Sequence, residues 1–261
     1  MIDMTDTKKK AWVNLTLFIV TLIVNFLGAT GFINGSSQAE VSDLYHTLIT
    51  PAGFTFSIWS LIYGLLLFSF IVMIVRHEDS YYKQAIDSLS PLIWVSLAAN
   101  ILWIISFSYI LIGVSTVFIF IYVISLALIL KKLLKVDGSK RWLLPLTFGL
   151  NTGWLIIASV VNVAAYLVKM NWDGFGMTYD TWAMIIMLVA LLLAIGVLLQ
   201  VKNAAFTLPI AWAFFGISQE LQTFGESQTL VAIALANAVI LTLAAAYQWW
   251  KNKKAVIPYI D

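Results

Sequence analysis

The sequence predicts an all-α protein, a polytopic transmembrane bundle of eight helices with both termini cytoplasmic. Three observations predict it. The 261 residues are 61% hydrophobic and 11% charged, with a mean hydropathy of +0.93. Soluble domains are about a quarter charged, and a water-soluble core cannot hide this much apolar surface. Eight apolar stretches approach the roughly 20 residues that a helix needs to cross about 30 Å of hydrocarbon. Fourteen of the fifteen Lys and Arg residues fall on one side of an eight-span threading, which the positive-inside rule makes the cytoplasmic side. A net charge of +2 is too small to suggest nucleic acid, so the basic residues read as topology signals.

The spans run at about 11–33, 54–75, 91–112, 114–134, 142–168, 181–201, 204–220 and 228–250. Lys8, Lys9 and Lys10 precede the first. Its apolar stretch exceeds the 7–15 residues of a secretory h-region, so it reads as a retained helix. The exterior segment 34–53 carries Gly35, Ser36, Ser37, Glu40, Asp43, Tyr45 and His46 and is long enough to fold over the bundle as a lid. Arg76 and Lys83 link the second and third spans. There Ser88 and Ser90 offer N-cap oxygens and Pro91 takes a first-turn position, where its missing N–H does no harm. Lys131, Lys132, Lys135, Lys140 and Arg141 surround the next inner link. Pro145 lies in the first turn of the fifth span, and Gly149 and Gly153 form a G-x-x-x-G that lets a neighbour pack closely. The seventh span is short, carries Pro209 and ends at Gln219 and Glu220. A re-entrant seventh segment would put Lys251, Lys253 and Lys254 outside, against the charge rule. Only Lys169 falls on the outer side.

Several chemistries are excluded by what is missing. There is no Cys, hence no disulfide, thiolate metal site or cysteine nucleophile. The span cores carry essentially no ionisable residue to serve a proton path. No H-E-x-x-H is present, and no intramembrane His or Lys could activate a serine. His46 and His77 fall in loops and read as surface residues.

The spans do contain amides and indoles. Asn100 and Trp103 form N-x-x-W in the third span, and Asn151 and Trp154 repeat it in the fifth. Residues three apart share a helix face, so each pair sets an amide beside a large flat ring. Asn162 follows near the same stripe, and Phe56, Trp59, Tyr63, Leu66 and Phe70 make one mostly aromatic face of the second span. At about 1.5 Å per residue, Trp59 lies roughly 8–9 Å below the outer boundary, and Trp103 and Trp154 roughly 18 Å above the inner one. Trp12, Trp94, Trp142, Trp172, Trp182, Trp249 and Trp250 fall near span ends and read as interfacial anchors. Trp59, Trp103, Trp154 and Trp212 are too deep for that. Core packing accounts for such a stripe, and so does a pocket wall. Flat rings with a few amides and no charge would suit a large, flat, mostly apolar ligand such as a tetrapyrrole or sterol.

At these residues the sequence resembles the TspO/MBR family, the tryptophan-rich sensory or translocator proteins. The run from Tyr45 through Pro51 and Phe56 to Trp59-Ser-Leu-Ile-Tyr63 is similar to the family's first loop and second helix, with its W-x-x-L-Y. Leu97-Ala-Ala-Asn100-Ile-Leu-Trp103 resembles L-x-L-N-x-x-W, and Trp154-Leu-Ile-Ile-Ala158-Ser-Val-Val-Asn162 resembles W-x-x-F-A-x-x-L-N. The resemblance covers about residues 11–168. It implies a five-helix bundle whose pocket opens toward the first loop and binds porphyrins, and in some members sterols. It also implies a sensory role, with transport or breakdown of porphyrin as further family activities. By position Trp59 and Trp154 match the two pocket tryptophans linked to breakdown; Asn100, Trp103, Ala158 and Asn162 match pocket or packing positions. The family's longer K-P-x-W-x-P-P turn is reduced here to Thr50-Pro51-Ala52-Gly53, and its Pro-Tyr pair to Leu150-Asn151.

The expectation is therefore a TspO/MBR-like domain over 1–170 followed by three additional helices and a basic tail over 171–261. The expected function is a plasma-membrane binding or sensory protein for a porphyrin-like ligand. The expected ligand-binding residues are Phe56, Trp59, Tyr63, Asn100, Trp103, Trp154, Ala158 and Asn162. No cofactor is required, a haem-like tetrapyrrole being a ligand, and the partners are the bilayer and a hydrophobic small molecule. A homo-oligomer stays open. Alternatives are a carrier for a small hydrophobic solute and an enzyme that degrades bound porphyrin.

Overall fold

The computed structural model describes residues 6–138 and 142–259; Lys140 and Arg141 of the expected inner cluster lie outside them. The described residues form nine α-helices and no strands. They are α1 (Asp6–Ala29), α2 (Gln38–Asp43), α3 (Ile58–Val75), α4 (Ser80–Ser108), α5 (Ile112–Leu133), α6 (Leu143–Lys169), α7 (Tyr179–Val201), α8 (Leu208–Thr223) and α9 (Gln228–Lys251). All but α2 and α8 are long and apolar enough to cross a membrane. The central helix is α6, packed by α3, α5, α7 and α8 and buried around most of its circumference.

The third span begins eleven residues earlier than the apolar run suggests. Asp79 caps α4 by accepting from the Tyr81 N–H at 3.1 Å, and Tyr81, Tyr82, Ala85, Ile86 and Leu89 bury one face of the polar first half. Pro91 is consequently inside the helix, not in its first turn. Neither serine is an N-cap: the Ser88 and Ser90 hydroxyls donate back to Gln84 O and Ile86 O. An interior proline removes one i→i−4 bond and crowds the preceding turn. The Ser88 carbonyl there accepts from Lys132 Nζ at 2.7 Å.

The basic residues gather at one end. Lys10 pairs with Asp87 at 3.2 Å, Lys131 donates to Gln200 at 3.2 Å, and Asn252 donates to Lys202 O at 2.9 Å. These contacts bring together the starts of α1 and α4 and the ends of α5, α7 and α9. Lys169 lies at the other end, on Ile110 O.

The lid end is built from the segment before α3. Ser37 and Glu40 form a capping box at α2, and the Ser37 N–H holds the exposed Glu40 carboxyl below its ordinary pKa. Val41 anchors the lid among Ile112, Ala165 and Tyr166. Gly53–Ser57 is a short 3-10 helix, so Phe56 precedes α3 proper.

The seventh expected span takes an unusual route. Asn203 to Thr207 form buried turns before α8 starts. Asn203 donates to Pro145 O at 2.7 Å and accepts from the Ala205 N–H at 2.9 Å. Thr207 donates to Leu241 O at 3.0 Å, a level eleven residues before Asn252 and about 16 Å along α9. Irregular backbone is tolerated at membrane depth where protein buries it. Gly149 and Gly153 make that burial possible: a Cβ would come within 2.5 Å of Asn203 Oδ1 and 1.9 Å of Phe206 O, respectively. The G-x-x-x-G thus receives the α7–α8 turn. From there the 16 residues of α8 run about 24 Å toward the lid end; about halfway along, Gly216 O accepts from the Ala52 N–H at 3.2 Å.

Candidate ligand site

The loop before α3 and three helices bring five expected site residues into one aromatic cluster. Trp59 and Tyr63, one turn apart on α3, stack at 4.9 Å. Trp59 also meets Trp103 of α4 at 6.3 Å and Trp154 of α6 edge-on at 6.0 Å. Phe56 stands perpendicular to Trp154 at 5.9 Å and is 39% exposed, the outermost ring of the set. Trp103 continues to Phe107 at 6.4 Å. Farther along α3, Tyr63 and Phe70 both pack on Phe18 of α1, so the lower part of the predicted stripe is core.

The amides tie helices together rather than partnering the indole on their own helix. Asn100 Oδ1 accepts from Asn25 Nδ2 at 2.7 Å, and Asn25 Oδ1 accepts from the Tyr63 hydroxyl at 2.8 Å. Trp103 Nε1 donates to Asn162 Oδ1 at 3.1 Å, and Asn162 Nδ2 donates to Thr116 at 2.7 Å. Asn151 pairs with the Tyr122 hydroxyl at 3.3 Å, joining α5 to α6. Ala158 lies one turn beyond Trp154 and is partly buried against the core. Trp154 itself is 2% exposed, and its Nε1 is buried with no hydrogen-bond partner. Such a donor costs on the order of 1–3 kcal/mol until it is satisfied.

Several residues escaped the sequence reading. Asn25 links Tyr63 to Asn100, and its signal was present: Thr7, Ala11, Asn14, Phe18, Thr21, Asn25 and Gly28 repeat at three and four residues. Asn14 bonds Ser90 and accepts from Trp94 Nε1 at 2.7 Å, so Trp94 fastens α1 to α4. Trp212 of α8 donates to Thr55 O at 3.0 Å and meets Phe54 edge-on at 5.5 Å. His46 reaches Glu220 of α8 at 3.3 Å. The last contact borders a cavity of about 110 Å³ between the lid and α8, smaller than the roughly 300 Å³ of a drug-sized ligand site.

A family model for TSPO-like proteins matches residues 11–247. The chain belongs to the TSPO-like family. The match runs past residue 168 through α7 and α8 and most of α9, so the likeness is not confined to the first five spans. No curated protein and no solved structure matches the chain. Family membership and the seven span-length apolar helices make this TSPO-like chain a multi-pass membrane protein.

Proposed function

We propose that this TSPO-like protein binds a large, flat, mostly apolar ligand, a porphyrin-like tetrapyrrole, and acts as a sensory or binding protein of the cell membrane. The observation that carries the reading is the buried Trp154 Nε1 without a partner, set among the rings of Phe56, Trp59 and Trp103. A ligand acceptor would satisfy that N–H, and the rings would supply stacking surface. Tyr63, Asn100, Ala158 and Asn162 complete the proposed lining. The rings now touch one another, so the ligand enters by displacing Phe56, the most exposed of them. The protein requires no further cofactor. In the same proposal α8 and the turn before it make the eighth crossing. Both termini lie in the cytoplasm of a plasma-membrane protein, and the division falls near residue 170. The basic cluster at one end supports this orientation.

The test is a titration of the detergent-purified protein with protoporphyrin IX, followed by tryptophan quenching. Replacing Trp59→Ala and Trp154→Ala together is expected to weaken binding about tenfold or more, each deep ring contact being worth on the order of 1 kcal/mol. Unchanged affinity in the double variant would sink the site.

A further inference from the structure

We infer that residues 45–56, the stretch that joins the lid to α3, form a strap clasped to α8 by a pH-dependent latch between His46 and Glu220. Trp212, Gly216, Glu220 and Phe224 are spaced four apart, and so share one face of α8 and its C-cap. Each of them meets the strap. Trp212 Nε1 donates to Thr55 O at 3.0 Å, Gly216 O accepts from the Ala52 N–H at 3.2 Å, and Glu220 Oε1 lies 3.3 Å from His46 Nε2. The Phe224 ring packs 5.4 Å from the imidazole. Strap and helix therefore run antiparallel. They lie so close that a Cβ at Gly216 would come within 2.0 Å of Thr55 Cγ2. The strap ends at Phe56, the ring that stands against Trp154, so releasing it loosens the outermost wall of the aromatic cluster.

Of these contacts, the one that titrates near neutrality is His46 with Glu220. A histidine's charge ordinarily changes between about pH 5 and 8, and a carboxylate stays charged across that range. The ionisable groups that other elements bring to the imidazole are Glu220 of α8 and Glu226 of the turn after it, which lines the same cavity of about 110 Å³. On the chain's own side stand Tyr45 and Asp43, whose carbonyl accepts from the His46 N–H. No Lys or Arg among the described residues lines that cavity. Carboxylates therefore attract the imidazolium, and the neutral ring loses that attraction. The latch tightens as pH falls through this range and loosens as it rises. The His46 and Glu220 side chains are 35% and 22% exposed, which gives protons access and keeps the pair in the modest range of solvent-screened ion pairs.

The experiment follows hydrogen exchange of the Thr50 and Ala52 amides, corrected for intrinsic rate, in the full chain in lipid nanodiscs at about pH 5.5 and about pH 7.5. Both amides are hydrogen-bonded, to Thr47 O and Gly216 O. Their protection is expected to be about threefold higher at the lower pH, the scale of a partly exposed ion pair. His46→Gln and Glu220→Gln are expected to show the lower protection at both pH values. His46→Lys, a cation throughout, is expected to show the higher protection at both, which a merely space-filling histidine would not produce. The Val41 amide, bonded to Ser37 O within the lid, is expected to stay constant over this range. No ligand is added, so the outcome is independent of the tetrapyrrole site. Equal protection at the two pH values in the wild type overturns the proposal and needs no variant to fold. So does an equal step at Val41, a step that persists in His46→Gln, or a His46→Lys protein of native helicity that behaves as His46→Gln does.

Discussion

Replacing Gly153 by alanine tests whether α8 is held by the central helix or merely lies beside it. A Cβ at Gly153 would sit 1.9 Å from the Phe206 carbonyl oxygen and 3.3 Å from Pro209 Cδ. Ordinary C···O contacts begin near 3.3 Å, so the α7–α8 turn must retreat by about 1.4 Å. The obstacle is backbone and cannot rotate away. Overpacking of this kind costs about 1–3 kcal/mol. The retreat also strains the buried bond from Asn203 to Pro145 O, worth a further 1–3 kcal/mol or so if its groups are left unpaired. Against this stands a helix gain of about 0.5–1 kcal/mol for replacing glycine. The expected net loss is on the order of 3 kcal/mol. The control is Gly196→Ala in α7, where a Cβ meets nothing within 4 Å and the same helix gain should appear as stabilisation. The assay is equilibrium unfolding in mixed micelles, followed by circular dichroism. A Gly153→Ala protein as stable as Gly196→Ala would refute the packing argument.

Other outcomes follow from the same geometry. Asn25→Leu removes the bridge between Tyr63 and Asn100 and should cost about 1–2 kcal/mol in the same assay. Tyr63→Phe in that background should restore part of the loss, because it removes a hydroxyl that has lost its acceptor, Asn25 Oδ1. For the lid, hydrogen exchange of the Val41 amide, bonded to Ser37 O and corrected for its intrinsic rate, reports on α2. Because the Ser37 N–H depresses the Glu40 pKa in the folded state, the capping-box stabilisation is present above the ordinary value of 4.5 and is lost as pH falls through the depressed one. Protection of Val41 should therefore drop in acid for the wild type, and Glu40→Ala should lack that step.

Much of the aromatic cluster was legible because it rests on helical spacing. Trp59 and Tyr63, four apart, share a face whatever they pack on. The N-x-x-W pairs located the right helices but not the right bonds: Asn100 turned to Asn25 and Asn162 to Trp103, since partners on other helices are set by rotation and depth. The start of α4 was misjudged because the apolar run marks where lipid begins, not where hydrogen bonding begins. Asp79 and a buried amphipathic face carry the helix eleven residues beyond it. Trp94 was assigned by nearness to a span end, a rule blind to Asn14 eighty residues away.

By itself the sequence determined the all-helical class, the membrane setting, the family and the segregation of basic residues. All four follow from composition and short-range pattern, because lipid demands apolar side chains and internally bonded backbone segment by segment. The tertiary structure decided how α8 enters the bundle, through a buried turn seated on Gly149 and Gly153. It also decided which amides bridge which helices, that Trp154 keeps an unsatisfied N–H, and that Trp212 bonds the segment before α3. These depend on contacts between residues as far as 157 positions apart, and no local spacing encodes which buried group will meet which.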